Sequence, residues 1–348
     1  MLIGTTSGVL RLRDGGLEPL GLEGHSVTAL HASRDALLAG TYGDGLFRSV
    51  DGGRSWAHVE AGLTASTFRF VSAELAGTEP TRVFRSADGG RSWEELEGIT
   101  RIAGYERWYL PYSPRAGAAR NAYVCGDRLL VAAEVAGLLR SEDGGRTWVC
   151  EPVAGDEDVH HVTAHPDDPD LLYVSLGTAS LNQRAGRHGG IARSRDGGQS
   201  WEKLESDYTR ATIVPPQRPD LVLAGPAPQV GRGGRIVVSA DGGDIWEPAG
   251  HGIDIPMPDM IELFVAAPDG EIWAICSPGA CCEQHRTTGR GPPHSPRTLR
   301  STSSRSRSPD QSRDGGTRDA CRFARQPAAT PPAPRYRLCL KALQPSAD

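Results

Sequence analysis

The sequence predicts an all-β fold made of repeated four-stranded sheets. Three observations predict it: one phrase recurs along the chain, short apolar runs flank each copy, and the copies lie about 45 residues apart. Glycine is abundant, at 43 of 348 residues, whereas aromatic residues make up only 6%. This composition favours many short strands joined by turns over long helices.

The repeated phrase carries the first of these observations. It reads RSVDGGRSW at 48–56, RSADGGRSW at 85–93, RSEDGGRTW at 140–148 and RSRDGGQSW at 193–201, with a weaker copy, VSADGGDIW, at 238–246 and a stub, RLRDGGLEP, at 11–19. Asp-Gly-Gly between strand-like runs indicates a tight hairpin, because glycine adopts positive φ without strain. The phrase therefore predicts a turn that is stabilised by its own side chains.

Each residue of the phrase has a predicted structural role. The Asp carboxylate accepts hydrogen bonds from turn amides, the Ser hydroxyl satisfies another turn group, and the Trp ring is expected to bury itself beside its own hairpin. The residues with these roles are Ser49, Asp51, Gly53, Trp56, Ser86, Asp88, Gly90, Trp93, Ser141, Asp143, Gly145, Trp148, Ser194, Asp196, Gly198, Trp201, Ser239, Asp241, Gly243 and Trp246. Their role concerns folding, not chemistry.

The spacing predicts how the sheets assemble. A step of about 45 residues fits one four-stranded blade of a β-propeller, as in the runs SVTALHAS, ALLAGTYG, GLFRSV and SWAHVE. A ring of such sheets buries their faces and leaves only short edges. We expect a propeller over residues 1–276, with seven blades of which the last is incomplete; six blades are the alternative.

The pattern S-x-D-x-G-x-x-W between strands resembles the Asp-box, or BNR, repeat of sialidase-like β-propellers. That superfamily includes sialidases, sortilin-type receptors, photosystem II assembly factors and bacterial proteins described as glycosyl-hydrolase-like. The five full copies cover residues 48–246, and the looser pattern covers 1–276. The resemblance implies that these hairpins lie away from the face that binds ligands.

Charge separates the chain into two parts. Residues 277–348 hold thirteen basic and five acidic residues, whereas residues 1–276 hold 25 basic and 38 acidic ones. The acidic body argues against nucleic acid as a partner. No basic stretch with a following apolar run and no long apolar segment is found. We therefore expect a cytoplasmic monomer that does not bind membranes.

The segment 277–348 has two interpretations. Arg, Ser and Pro dominate it, and no Val, Ile or Trp follows Ile275, which is typical of a disordered basic tail. The interpretation we favour is a shifted reading frame, because 36 arginines against two lysines indicate a GC-rich gene. Read from the third codon base, residues 279–283 can encode an Arg-Leu-Leu-Arg strand. The seventh blade then lacks its outer strands.

Metal and cofactor binding are not predicted. Cys125 and Cys150 look like small apolar fillers in a reducing compartment. The cysteines at 276, 281 and 282 lack the second half of a zinc motif. His161 and His165 share one face of a predicted strand, but the sequence shows no third ligand.

Two enlarged loops, 98–121 and 177–190, are expected on the face opposite the hairpins, near the central channel. Arginine and aromatic side chains there can bind an anionic or sugar ligand. Alternatively, the aromatic residues plug the channel mouth. The predicted ligand-binding residues are Arg107, Trp108, Tyr109, Glu134, His160, Arg184, Arg187 and His188.

Two functions are compatible with this site. The one we favour is a non-catalytic propeller that binds a protein or a small, carbohydrate-like ligand at the channel face. The alternative is an exo-sialidase-like glycoside hydrolase, with carboxylates from Glu134, Asp158 or Glu106. The resemblance implies an Arg-Ile-Pro tripeptide and a Tyr–Glu pair for a sialidase. The tripeptide is missing, and only Tyr109 with Glu134 imitates the pair.

Overall fold

A computed structural model describes residues 1–13, 16–108, 117–177, 189–249 and 255–277, together with the backbone of Tyr336–Leu340. In this part of the chain the regular structure is β-strand, apart from two single turns of 3₁₀ helix at Ile99–Arg101 and Tyr105–Arg107. None of the helices that the structure describes is both long and apolar enough to cross a lipid bilayer.

The described strands form seven sheets that follow one another along the chain. In chain order the sheets contain β1 (Leu2–Thr5), β2 (Gly8–Arg13) and β3 (Gly16–Pro19); β4 (Val27–Ala32), β5 (Leu37–Thr41), β6 (Leu46–Ser49) and β7 (Ala57–Val59); β8 (Phe68–Val71), β9 (Leu75–Thr78), β10 (Val83–Arg85) and β11 (Glu94–Glu95); β12 (Ala118–Cys125), β13 (Arg128–Glu134), β14 (Gly137–Ser141) and β15 (Val149–Glu151); β16 (Val159–His165), β17 (Asp168–Leu176), β18 (Gly190–Ser194) and β19 (Glu202–Glu205); β20 (Tyr208–Ile213), β21 (Val222–Ala227), β22 (Val237–Ser239) and β23 (Glu247–Pro248); and β24 (Met260–Ala266), β25 (Ile272–Ser277) and β26 (Tyr336–Leu340).

The second to sixth sheets share one antiparallel order, in which four consecutive strands lie side by side. The first strand of each contacts the first strand of the next, from β4 through β8, β12, β16 and β20 to β24. First strands that meet in succession lie innermost, around a common axis. This arrangement confirms the predicted β-propeller of four-stranded blades.

The hydrophobic core lies between neighbouring sheets. Leu38 of the second sheet packs with Phe68 and Phe84 of the third. Between the sixth and seventh sheets, Leu223 packs with Ile261. Burying one such side chain stabilises the fold by about 1.5–3 kcal/mol, so each sheet depends on the next for its burial.

The seventh sheet departs from the common order. β24 and β25 are antiparallel, but β26 joins β25 in parallel, with Ile272 opposite Tyr336 and Cys276 opposite Leu340. We expected disorder throughout 277–348, and these five residues differ from that expectation. The backbone edge of β25 has donors and acceptors to satisfy, and an extended segment can pair with it. Residues 278–335 and 341–348 lie outside the described residues.

Candidate functional site

The repeated phrase forms a hairpin between the third and fourth strands of a sheet, which we call a DGG hairpin. In the second sheet, Ser49 Oγ donates to Asp51 Oδ1 at 2.8 Å and accepts from the Gly53 amide at 2.8 Å. The Ser55 amide donates to Asp51 Oδ1 at 2.9 Å, and its hydroxyl donates to Oδ2 at 2.6 Å. One carboxylate thus fixes both ends of the turn.

The same contacts recur in the next three hairpins, around Asp88, Asp143 and Asp196. Hydrogen bonds from the Ser200 hydroxyl, the Ser200 amide and other hairpin donors lower the pKa of Asp196 to about 2. The hairpin of the sixth sheet differs, because Ile245 occupies the place of the hydroxyl residue and offers Asp241 only its amide.

The tryptophans of the repeated phrase do not all pack as the sequence predicts. We expected each ring to lie against its own hairpin, as Trp148 does when its Nε1 donates to the Gly145 carbonyl at 2.9 Å. Trp56 instead donates to the carbonyl of Leu20, in the preceding part of the chain, at 2.9 Å. It packs there with Leu20 and Leu22, so that this hairpin also joins two sheets.

An arginine contact that the sequence analysis missed also joins the sheets. An arginine of one sheet donates to the carbonyl of the first glycine in the DGG hairpin of the next sheet. The pairs are Arg11 with Gly52 at 2.8 Å, Arg48 with Gly89 at 3.1 Å, Arg85 with Gly144 at 2.9 Å and Arg193 with Gly242 at 2.7 Å. The signal was present in the phrase, where Arg precedes the Ser in four copies.

The opposite end of the sheets carries polar side chains on the inner strands. Because strands alternate in direction, first strands begin and second strands end at the end remote from the DGG hairpins. Each of the six described first strands that pair with a second strand has a bulge there. Bulges re-aim side chains. The residues in the bulges are Thr28, Arg69, Arg120, His160, Arg210 with Ala211, and Glu262.

Several of these residues meet acidic or phenolic partners, and together they form what we call the inner polar cluster. Its members are Arg69, Glu79, Arg120, Glu134, Asp158, His160, Tyr208, Arg210 and Glu262. Three ion pairs lie within it: Arg69 Nη1 with Glu79 Oε2 at 3.5 Å, Arg120 Nε with Glu134 Oε2 at 3.2 Å, and Arg210 Nη1 with Glu262 Oε1 at 2.8 Å.

A chain of polar contacts connects Arg210 to His160 through Tyr208. Arg210 Nε donates to Tyr208 Oη at 2.8 Å, and this oxygen lies 3.1 Å from His160 Nε2. The same nitrogen lies 3.3 Å from Asp158 Oδ2. Burial raises the pKa of Tyr208 above its ordinary value, so the phenol stays protonated. Burial lowers the pKa of Arg210, but the charge of Glu262 and the other facing groups outweigh it and raise that pKa.

Two of the predicted site residues, Glu134 and His160, meet in this cluster. One donor atom from each lies within 4.8 Å of the other and of Asp158. All three are buried, at 4%, 4% and 5% exposure. Glu134 ends β13, whereas Asp158 directly precedes β16 and His160 lies in the bulge of that strand, so two chain segments converge.

The structure places the other predicted residues elsewhere. Glu106 and Arg107 lie exposed on the second 3₁₀ turn. Trp108 is buried with Ile99 and Tyr105, its ring centroid 5.1 Å from that of Tyr105, which fits a packing role. The predicted residues Tyr109, Arg184, Arg187 and His188 lie outside the described residues.

His161 and His165, which the sequence suggested as a possible metal pair, make different contacts in the structure. His161 Nε2 lies 3.4 Å from Asn121 Nδ2, and burial lowers the pKa of His161 to about 4. His165 Nδ1 accepts from the Asp167 amide at 3.2 Å. A register shift beside His165 breaks the strand periodicity on which their shared face depended.

The residues that sequence reasoning missed are mainly the partners of Glu134 and His160. Arg120, Tyr208 and Arg210 belong to the first strands on either side of β16, and no motif around them in the sequence marks them as partners of Glu134 and His160. A signal existed, because each of these residues falls within the first three residues of its strand. The sequence alone did not show that bulges aim them at one another.

Comparison with known proteins identifies the fold. No protein-family model and no curated protein matches the chain. Among solved structures, YCF48 bound to D1 peptide matches with a TM-score of 0.55 at 18% identity, covering 78% of this chain and 84% of that one. YCF48 from Cyanidioschyzon merolae matches at 0.56 and 15%, covering 78% and 86%.

A GH74 xyloglucanase from Xanthomonas campestris also matches, with a TM-score of 0.59 at 18% identity. The match covers 78% of this chain but only 48% of the xyloglucanase, so the chain spans about half of that enzyme. At these identities the likeness establishes architecture alone. The chain is a β-propeller with the fold seen in YCF48 and GH74 proteins.

Proposed function

We propose that this chain is a non-catalytic β-propeller that binds a protein segment or a small ligand at the face remote from the DGG hairpins. The observation that carries this proposal is the state of the inner polar cluster. Glu79 and Glu134 are buried and Glu262 is largely buried, and each of the three is ion-paired with an arginine, at 2.8–3.5 Å. Such pairs shape and charge a surface, and they leave no glutamate of the cluster available as a free acid.

One observation favours the alternative, a glycoside hydrolase. Glu134 and Asp158 have carboxylate oxygens within 4.8 Å of each other, close to the about 5 Å spacing of retaining glycosidases. Both side chains are buried, however, and Glu134 is paired with Arg120. A glycosidase needs its two carboxyl groups open to the sugar from opposite sides of the scissile bond.

The comparisons with solved structures also support the proposal that this chain is a binding protein. The structure of YCF48 bound to D1 peptide shows a propeller of this fold that holds a peptide, and this chain covers 84% of its length. The xyloglucanase has about twice the matched length. We therefore propose an extended peptide as the first class of ligand to test.

The test compares binding with turnover in the full-length protein. We expect binding to members of an immobilised random peptide library and no hydrolysis of aryl glycosides, including aryl sialosides. Arg120→Ala should weaken the peptide signal about tenfold or more, because a charged side chain of the cluster is lost. Arg34→Ala is the matched control, since Arg34 is exposed at the hairpin end of the second sheet.

Two results would contradict the proposal. The first is glycoside turnover that Glu134→Gln abolishes while the variant keeps the melting temperature of the parent. The second is peptide binding that Arg34→Ala weakens as much as Arg120→Ala does, which would move the binding face to the hairpin end.

A further inference from the structure

We propose that Glu134, Asp158 and His160 bind one divalent transition-metal ion, for which Zn²⁺ is the test case. This site goes beyond the proposed function and does not depend on it. It rests on the spacing of the three donors, on the charge balance of the inner polar cluster and on polar atoms that lack partners among the described residues.

The spacing of the donors fits a single ion. Zinc lies about 2.0–2.2 Å from nitrogen and carboxylate oxygen, so two donors on one ion lie about 3–3.5 Å apart. His160 Nε2 and Asp158 Oδ2 lie 3.3 Å apart, and Glu134 completes a group whose donor atoms all lie within 4.8 Å.

The charge balance leaves room for a cation. The inner polar cluster contains three arginines and four carboxylates, and each glutamate pairs with one arginine. Among the described residues, the ion-pair contact of Asp158 is with His160. A buried carboxylate without a full positive partner is costly, and a bound cation removes that cost.

The unsatisfied atoms are an independent observation. Asp158 Oδ1 and His160 Nδ1 have no hydrogen-bond partner within the described part of the chain, although both side chains are more than nine-tenths buried. Buried polar atoms in proteins are normally satisfied. A metal ion held by Asp158 would give this buried carboxylate the positive partner that it lacks among the described residues.

The residue whose backbone lies beside Asp158 and His160 is Gly177. A Cβ atom added at Gly177 would collide with Asp158 Oδ2 and with His160 Nε2. Any other residue at this position would therefore push the two donors away from their present places. The Gly177 amide also donates to the Asp158 carbonyl at 2.7 Å, which holds the backbone of Gly177 close to that of Asp158.

The donor set defines the class of metal. One imidazole and two carboxylates suit first-row divalent ions such as Zn²⁺, Mn²⁺ and Co²⁺ better than Cu⁺, which prefers sulfur. Three protein donors also leave a coordination position for water or for a ligand. The site lies at the end of the sheets that is remote from the DGG hairpins.

The experiment uses the full chain after treatment with a chelator. Titration with Zn²⁺ in a calorimeter should give one site per chain, and the melting temperature should rise with added Zn²⁺. Asp158→Asn and His160→Gln should weaken binding about 100-fold or more. His25→Gln should bind as the parent does, because His25 and Asp44 form an exposed pair at 3.0 Å without a third ligand in the described residues.

X-ray absorption of the Zn²⁺-loaded parent keeps the proposal testable even if a variant does not fold. The first shell should contain one imidazole and otherwise oxygen. A shell with sulfur would assign the ion to cysteines elsewhere in the chain and overturn the proposal. Absence of Zn²⁺ binding below about 100 μM, or unchanged binding in Asp158→Asn and His160→Gln, would overturn it equally.

Discussion

At the scale of single residues, each aspartate of the DGG hairpins accepts the hydrogen bonds that hold its turn together. Asp196 accepts from the Ser194 hydroxyl at 2.7 Å and from the Ser200 amide and hydroxyl at 2.9 and 2.5 Å. These donors favour the ionised carboxylate, and they act only in the folded chain. Stability is therefore linked to the protonation of each such aspartate.

Acid should weaken the fold through these aspartates. The folded-state pKa of Asp196 is about 2, below its ordinary value of 3.8, so its contribution is present above about pH 4 and is lost as the pH falls through about 2. Asp196→Asn should lower the urea midpoint at pH 6, and its difference from the parent should shrink between pH 4 and pH 2. A difference that stays constant over this range would count against the linkage. Asp35→Asn, on an exposed turn, is the control.

The sequence could identify single members of the site but not their partnerships. Glu134 and His160 stood out because they are ionisable residues in apolar strands near the predicted channel. Asp158 stood out only as a possible carboxylate for hydrolysis. Arg120 and Tyr208 did not stand out, because their positions relative to these groups follow from bulges and from packing between sheets.

Trp108 shows at this scale that the surroundings of a side chain could not be read from the sequence. An indole beside Arg107 in a long loop was predicted to bind a ligand or to plug the channel. In the structure the ring is buried with Ile99 and Tyr105. Burial of an aromatic ring is decided by the elements that cover it, and local sequence does not reveal them.

At the scale of elements, the third strands and the DGG hairpins act together across sheets. Arg193 in β18 donates to the Gly242 carbonyl of the next hairpin and pairs with Asp244 at 2.8 Å, with a side chain only 4% exposed. The corresponding residue of the preceding copy, Arg140, pairs with Glu142 and Glu151 of its own sheet. The two arginines occupy the same position of the phrase but different environments.

This difference predicts unequal effects of the same substitution. Arg193→Ala should reduce the free energy of unfolding by about 2 kcal/mol, because it removes a buried charged donor from between two sheets. Arg140→Ala should cost less than about 1 kcal/mol, since its ion pairs are exposed. Urea unfolding of both variants measures the two values. Equal losses would show that the contact between sheets adds no stability.

The hairpins themselves were predictable because their chemistry is local. Asp-Gly-Gly with a preceding Ser specifies a turn from within nine residues, and the glycines do have positive φ, at 73° and 92° for Gly197 and Gly198. The contacts of Trp56 and Arg193 with other sheets could not be read in the same way. Their partners lie 36 and 49 residues away.

At the scale of the whole molecule, the first and last sheets are the unusual ones. The first has three strands, and its sequence LIGTTSGVLRLRDGG matches the second and third strands of the next sheet, LLAGTYGDGLFRSVDGG. The last has two antiparallel strands and the parallel β26. The number of sheets was predictable from the spacing of the phrase, whereas the parallel strand had no signal in the sequence.

The proposal of a shifted reading frame yields a test at this scale. We expect the gene, read in another frame after codon 278, to encode an apolar strand similar to Arg-Leu-Leu-Arg and then a turn and a Trp. The protein restored in this way should melt at a higher temperature, because the seventh sheet gains antiparallel strands. Nucleotide sequencing decides the first point, and an alternative frame without such a segment would leave the basic tail as genuine.

The packing of each sheet against the next has a consequence for how the molecule opens. Stability that is shared between nearest neighbours is lowest at the first and last sheets, because each of these has three strands where the other sheets have four. Amide protons of β1 and β25 should therefore exchange with deuterated solvent sooner than those of β13 and β17. Local opening would therefore start at the first and last sheets and reach the middle sheets of the chain last.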